Sequence, residues 1–299
     1  MSAASPNIAI HIDVANPGQF FACCGLLELA DRLWSGVEGR FEGEYFLIIG
    51  PPECSLRALL DKLAECTVAN TMAAVQIARL EELSSMKKKE REAITGLEDE
   101  KKLLESLRRE QPIVITGAVE FRVDWFCNEP SGGSRFKTWA GQQSVLEITK
   151  AMHRGLTRAI NESNSSPWGS VRGIGLPFNF DSDLGGQGSA LDIGFSFDPL
   201  SGSEMTRIEG TCRPILEFLC FVGLQRFRPR EITGENRFVY TIWNAALSPS
   251  VAAAVACGAV KVGDGLSHEF KLLYRTKYLK SFLPAIPFQG DRDDRAERI

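Results

Sequence analysis

The run QFFACCGLLELADRLW (19–34) limits what this 299-residue chain can become more than any other feature. Its spacing is helical, yet apolar residues occupy most of its circumference. A helix without a broad polar face has to be buried on nearly all sides. A second segment, RPILEFLCFVGLQRF (213–227), has the same character, with Pro214 suited to the first turn. Both contain an aromatic, a Cys and then Gly-Leu. An internal duplication gives that pattern, and so does a small residue placed wherever two buried helices touch. Hydrophobic residues make up 44% of the chain, enough to build the surrounding core.

The rest of the pattern supplies that surround. IAIHIDV (8–14) alternates and reads as a strand; further strands are predicted at 44–49, 112–126, 176–180, 190–197 and 237–243. Ser55 is a candidate N-cap for LRALLDKLAEC. Helices are also predicted after TWAGQQ, where Val145, Ile148, Met152, Leu156 and Ile160 form an apolar stripe, and in SPSVAAAVACGAV. HEFKLLYRTKYLKSFLP reads as a last strand or helix. From about Asn70 to Glu110 the chain turns rich in Glu, Lys, Leu and Ala. Leu80, Leu83, Leu97, Leu104 and Leu107 fall near heptad spacing, which gives one long charged helix broken near Thr95–Gly96, or a helical hairpin. The expected class is α+β: a mixed or antiparallel sheet covered by helices, with that charged element inserted. A ferredoxin-like core is one arrangement that fits. The Ser/Gly/Asn-rich stretch 161–175 marks an expected boundary between an N-terminal part (1–160) and a C-terminal part (161–290), followed by a charged tail (291–299).

Charge and chemistry narrow the function. The net charge is −4, so the whole-molecule field does not attract nucleic acid, and any such contact needs a local basic patch. Eight cysteines include no CxxC pair and sit mostly in apolar runs, which reads as reduced thiols in a cytoplasm. MSAASPN does not read as a secretory leader, and no stretch approaches the roughly 20 apolar residues of a membrane span. The three histidines, His11, His153 and His268, fall in no catalytic or metal-binding motif. DSDLGGQGSALD (181–192) half-matches a calcium loop, but Gly185 stands where a ligand is needed, and a turn is the better reading. No phosphate-cradling loop occurs. A binding protein without a cofactor is therefore expected rather than an enzyme. The enzymatic alternative is a metal-dependent nuclease using Glu120, Asp124 and Asp192.

Four groups of residues are the candidate binding residues. In RFKTWAGQQ, Lys137 and Trp139 stand beside the amides of Gln142 and Gln143, which can pair with base edges. Lys150, Arg154 and Arg158 follow at four-residue intervals on one helical face. Arg226, Arg228 and Arg230 alternate with Phe227 and Pro229. Lys271, Arg275, Lys277 and Lys280 interleave with Phe270, Tyr274, Tyr278 and Phe282. Basic-aromatic interleaving suits a phosphate backbone with exposed bases. It equally suits a core element whose long cations reach out to solvent.

The blocks NPGQFFACCGLLELADRLW, RFKTWAGQQSVLEITKAM, LDIGFSFDPL, EFLCFVGLQRFRPR and RTKYLKSFLPA together resemble a small CRISPR-associated protein of the type I-U (I-G) interference systems. These blocks run from the first strand to about Pro287, and TWAGQQS and RTKYLKSFLP are the most specific of them. The charged segment 76–110 has no counterpart in that resemblance. What the resemblance implies is a large-subunit-like, non-catalytic component of a crRNA-guided surveillance complex. Such a subunit would contact crRNA and target DNA near the protospacer-adjacent motif, support R-loop formation, and partner with the other effector subunits and the helicase-nuclease. In such systems base pairing reads the sequence, while protein reads the short adjacent motif and the backbone. A purely architectural subunit of the same complex is the alternative.

Overall fold

The computed structural model describes residues 5–127, 136, 145–162, 214–232, 236–275 and 278–289. In chain order the first part holds β1 (Ile8–His11), α1 (Pro17–Leu33), β2 (Glu38–Glu42), β3 (Tyr45–Ile49), α2 (Leu56–Ala64) and β4 (Thr67–Asn70). The charged segment forms α3 (Ala74–Ser85), α4 (Lys88–Glu92) and α5 (Leu97–Glu110). Then come β5 (Ile113–Thr116), β6 (Phe121–Val123), α6 (Val145–Glu162), α7 (Pro214–Gly223), β7 (Arg230–Ile232) and β8 (Arg237–Thr241). Last are α8 (Pro249–Ala256), β9 (Ser267–Arg275), β10 (Tyr278–Phe282) and β11 (Ile286–Pro287). The class is α+β, with three antiparallel sheets among the described residues, ordered β1-β3-β2, β4-β5-β6 and β10-β9-β8-β7, the last with β11 beside β9.

Helix α1 is the spine. Asn16 caps it, its side chain accepting from the Gln19 amide at 3.1 Å. Every residue from Pro17 to Ala30 is buried. Its main neighbour is α7, and the two cross glycine to glycine. A Cβ on Gly25 would lie 2.0 Å from the Leu219 carbonyl oxygen, and one on Gly223 2.1 Å from that of Phe21. The shared Gly-Leu of the two segments is thus a close backbone approach. Around this crossing runs one apolar core reaching from Ile8 to Ala285. Its centre is aromatic: Phe20 stacks on Tyr240 at 4.2 Å, and Phe41 meets Trp243 edge-on at 4.8 Å.

Backbone hydrogen bonds stitch the first sheet to the last. Phe41 N donates to the Trp243 carbonyl at 2.8 Å, and Gly39 and Leu247 exchange bonds at 2.9 and 3.0 Å. Tyr240 donates its hydroxyl to the Val14 carbonyl at 2.6 Å, pinning the loop that enters α1. The opening β-α-β-β run has the antiparallel order β1-β3-β2. A ferredoxin-like sheet would continue with β4 beside β1; here β4 pairs β5 from Thr67↔Thr116 to Asn70↔Ile113.

One sequence expectation is corrected, one of two alternatives is selected, and three strands were not expected. The single strand at 112–126 is a hairpin, because Gly117 takes a left-handed φ of 139° and the chain reverses to pair Ile115 with Phe121. Of the two readings of 70–110, one long broken helix or a helical hairpin, the structure has the hairpin. The segment breaks after Ser85 and again at Gly96, so that α3 and α5 fold back on each other. The leucine stripe explains why: a straight helix would leave it in water, whereas folding back buries Met72, Leu80, Leu83 and Leu104 in a separate small core. Arg91 closes the turn, with Nη1 donating to the Leu83 carbonyl at 2.9 Å and Nε to Glu98 at 2.9 Å. Finally, β2, β4 and β7 are strands too short and too polar to stand out as alternating runs. The strands expected at 176–180 and 190–197, the turn at 181–192 and the tail lie outside the described residues.

Two consequences are measurable. Gly25→Ala or Gly223→Ala forces the two helices apart and is expected to lower unfolding free energy by about 3 kcal/mol, the upper part of the overpacking range. The double variant should cost less than the sum, since both changes open one contact. His268 is buried against Tyr240, with centroids 5.6 Å apart, and burial holds its imidazole below the usual value although the Asp13 charge pulls the other way. The unfolded chain therefore takes up the proton first. Stability is full above about pH 6.5 and falls as pH drops below it. Denaturation midpoints between pH 7 and 5 should fall less steeply for His268→Phe than for the parent chain. Glu98 and Glu100, held low by Arg91 and Arg79, act only at lower pH.

Candidate nucleic-acid interface

The basic residues of 226–230 are divided by the alternation of the chain. Phe227 is fully buried, stacking on Trp243 at 6.2 Å, so Arg226 and Arg228 are thrown outward on either side. Arg226 then turns back. Its Nε lies 2.6 Å from Glu28 Oε2, and its Nη1 donates to Ser250 Oγ at 3.0 Å. Glu28 is only 3% exposed and also receives Arg32 at 2.8 Å. Arg32 in turn lies 4.4 Å over the Phe121 ring and donates to the Glu120 carbonyl at 3.2 Å. Arg226 therefore ties α7 to α1 and α8 rather than facing a ligand.

Arg228 and Arg230 stay exposed. Arg230 opens the edge strand β7, with its guanidinium 5.7 Å from the Phe288 ring. The register places Arg230 beside Val239, Val239 beside Glu269, and Arg237 beside Lys271, so these side chains share one face of the sheet. That face carries exposed Lys271 and half-buried Arg237, which is ion-paired to Glu269. The opposite face carries Phe238 and Phe270, both in the core. Phe282 is buried as well. The interleaving of cations with these three phenylalanines is therefore the two-faced alternation of a strand. Arg228, Arg230 and Lys271 are exposed enough to meet a phosphate backbone, whereas Arg237 is engaged by Glu269, and Phe227, Phe270 and Phe282 offer no surface for base stacking. Arg275 and Lys280 lie on β9 and β10 next to their connection, where Arg275 pairs with Tyr278.

On α6 the expected stripe of Val145, Ile148, Met152, Leu156 and Ile160 is buried. Of the cations opposite, Arg154 is exposed, while Lys150 Nζ stands 3.7 Å from Glu147. Glu147 is also 3.6 Å from Arg108 on α5. Lys150 thus borders the helical hairpin. Lys137, Trp139, Gln142, Gln143 and Lys277 lie outside the described residues, as does Asp192.

Of the other nuclease candidates, Glu120 is exposed, and Asp124 is engaged by Gln225 Nε2 at 2.8 Å and Arg122 at 3.0 Å. Among the described residues no three His, Cys, Asp or Glu side chains gather closely enough to hold a metal ion. His11 pairs with Glu44 at 2.9 Å, and His153 Nε2 lies 2.8 Å from the Leu63 carbonyl. The described cysteines are free thiols, and burial raises those of Cys23, Cys24 and Cys220. No described helix is long and apolar enough to cross a membrane. The Glu28 cluster was missed in the sequence, though its signal was there: a carboxylate inside an apolar helix needs a partner, and Arg32 follows at i+4.

No family model, curated protein or solved structure matches the chain.

Arg226→Ala leaves the buried Glu28 charge with one cation fewer, and Glu28→Gln leaves Arg32 and Arg226 without their shared carboxylate. Glu28→Gln and Arg226→Ala are each expected to lower unfolding free energy by about 3 kcal/mol. Arg228→Ala, on the open surface, should shift it by less than about 0.5 kcal/mol. Urea denaturation followed by far-UV circular dichroism measures all three.

Proposed function

We propose that the chain is a non-catalytic, cytoplasmic subunit of a crRNA-guided type I CRISPR surveillance complex, binding crRNA or target DNA near the protospacer-adjacent motif and supporting R-loop formation. The family half of this reading rests on the sequence blocks, above all TWAGQQS and RTKYLKSFLP. One structural observation supports the binding half. In a chain of net charge −4, exposed Arg230 and Lys271 share one sheet face, with Arg228 exposed just before it, while Glu269 on the same face is paired with Arg237. Such a face gives backbone contacts that hold a nucleic acid without reading its bases. That is the division of labour expected where a guide strand supplies the sequence.

The architectural alternative draws on Arg226 and Lys150, two of the candidate cations that already have carboxylate neighbours within the fold. Salt dependence separates the readings, since each phosphate neutralised releases counterions. The chain would be co-expressed with the adjacent effector subunits and a crRNA. Target-duplex and crRNA binding would then be measured by gel shift across a salt series. Arg228→Ala/Arg230→Ala/Lys271→Ala should leave assembly intact, weaken binding, and flatten the log–log salt slope by about 2, from roughly 0.7–0.9 per phosphate contact. An unchanged slope with normal assembly gives the architectural reading. A chain that enters no ribonucleoprotein removes both.

A further inference from the structure

The fold-back of the charged segment leaves a cleft of about 230 Å³ between α3 and α6. Its floor is apolar, made by Met72, Leu80 and Leu146, with the half-exposed Ile77 at the lip. Its rim is polar and split by sign. On the α3 wall stand Glu81 and Ser84; on the α5–α6 wall stand Arg108 and Lys150. Those two cations share the single carboxylate Glu147 at 3.6 and 3.7 Å, neither close enough for a good hydrogen bond. Glu81 has no ion-pair partner among the described residues.

We propose that this cleft is a docking site for a peptide segment of a partner protein, one that inserts a single apolar side chain between an acidic and a basic residue. Size argues for a side chain rather than a small-molecule cofactor, because the cleft falls below the roughly 300–1,000 Å³ of ligand pockets. An apolar anchor in a desolvated pocket with a polar rim is how interfaces concentrate their affinity. Charge complementarity sets the direction: the partner's acid meets Arg108 and Lys150, and its basic residue meets Glu81. This assigns Lys150 to a protein contact rather than to the nucleic-acid face. The inference stands on the cleft alone and does not require the CRISPR reading.

The test selects a phage-displayed random peptide library on the full chain, with counter-selection on Ile77→Asp. Enriched peptides are synthesised and titrated by fluorescence anisotropy, with a single-stranded RNA oligonucleotide titrated in parallel. The expected result is an acid–apolar–base motif whose binding falls at least about tenfold in Lys150→Glu and Ile77→Asp. A peptide with the acid replaced by lysine should recover binding to Lys150→Glu. Ile77 and Lys150 are both partly exposed, so unchanged helical circular dichroism checks that each variant folds. Three results overturn the proposal: no enrichment over counter-selection, peptides that bind Ile77→Asp as tightly as the parent, or a Lys150→Glu variant that loses RNA binding while no peptide depends on the cleft. The third would return Lys150 to the nucleic-acid surface and leave the reading of the β7–β9 face untouched.

Discussion

Everything else is arranged around a place where two backbones touch. At Gly25 and Gly223 no atom beyond the main chain separates α1 from α7, since a methyl group on either would fall about 2 Å from a carbonyl oxygen of the other helix. That approach lets α7, another apolar helix, cover one side of α1 at backbone contact. The sheets then close over the pair from outside: β8 and β9 lay Tyr240 and Phe270 on Phe21, and β2 is drawn to the Trp243–Leu247 segment by backbone bonds. The many aromatic rings follow from this layout. Closely spaced helices leave wide, flat gaps towards the sheets, and flat side chains fill them at high density.

The charged knot at Glu28 is the polar counterpart of that crossing. It sits one turn beyond Gly25 on α1 and takes cations from α1 itself and from the residues just past α7. A buried carboxylate is weak evidence for stability by itself, but it is strict about geometry. The apolar crossing fixes how near the helices come; the Glu28 pairings fix how far one can slide along the other.

Much of this was legible because it rests on periodicity. Helices α1, α6, α7 and α8, the cap at Ser55, and strands β1, β3 and β8 follow from residues whose burial repeats with a helical or two-residue period. Even the leucines at 80, 83, 97, 104 and 107 were read correctly as a stripe. Whether that stripe ran along one helix or closed on itself depended on Gly96 and on Arg91 finding the carbonyls of the turn, which no period encodes. The short strands β2 and β7 exist through pairing with the strand that follows each, and β4 through β5, more than 40 residues on. Arg226 and Arg228 show the same limit at the binding surface. Two residues apart, they look alike in sequence, yet a carboxylate nearly 200 positions away takes one and leaves the other.

The glycine crossing also has a kinetic side. Helix α1 ends at Leu33, and the helix that covers it ends at Gly223. At roughly 5–20 residues per second of synthesis, the most apolar surface in the chain waits about 10–40 s for its cover. The α3–α5 hairpin, with a small core of its own, can close long before then. A contact so distant in sequence makes for slow completion and a long interval in which α1 is adhesive. This is a chain for which a holding chaperone, or a neighbour already in place, matters more during its making than after it.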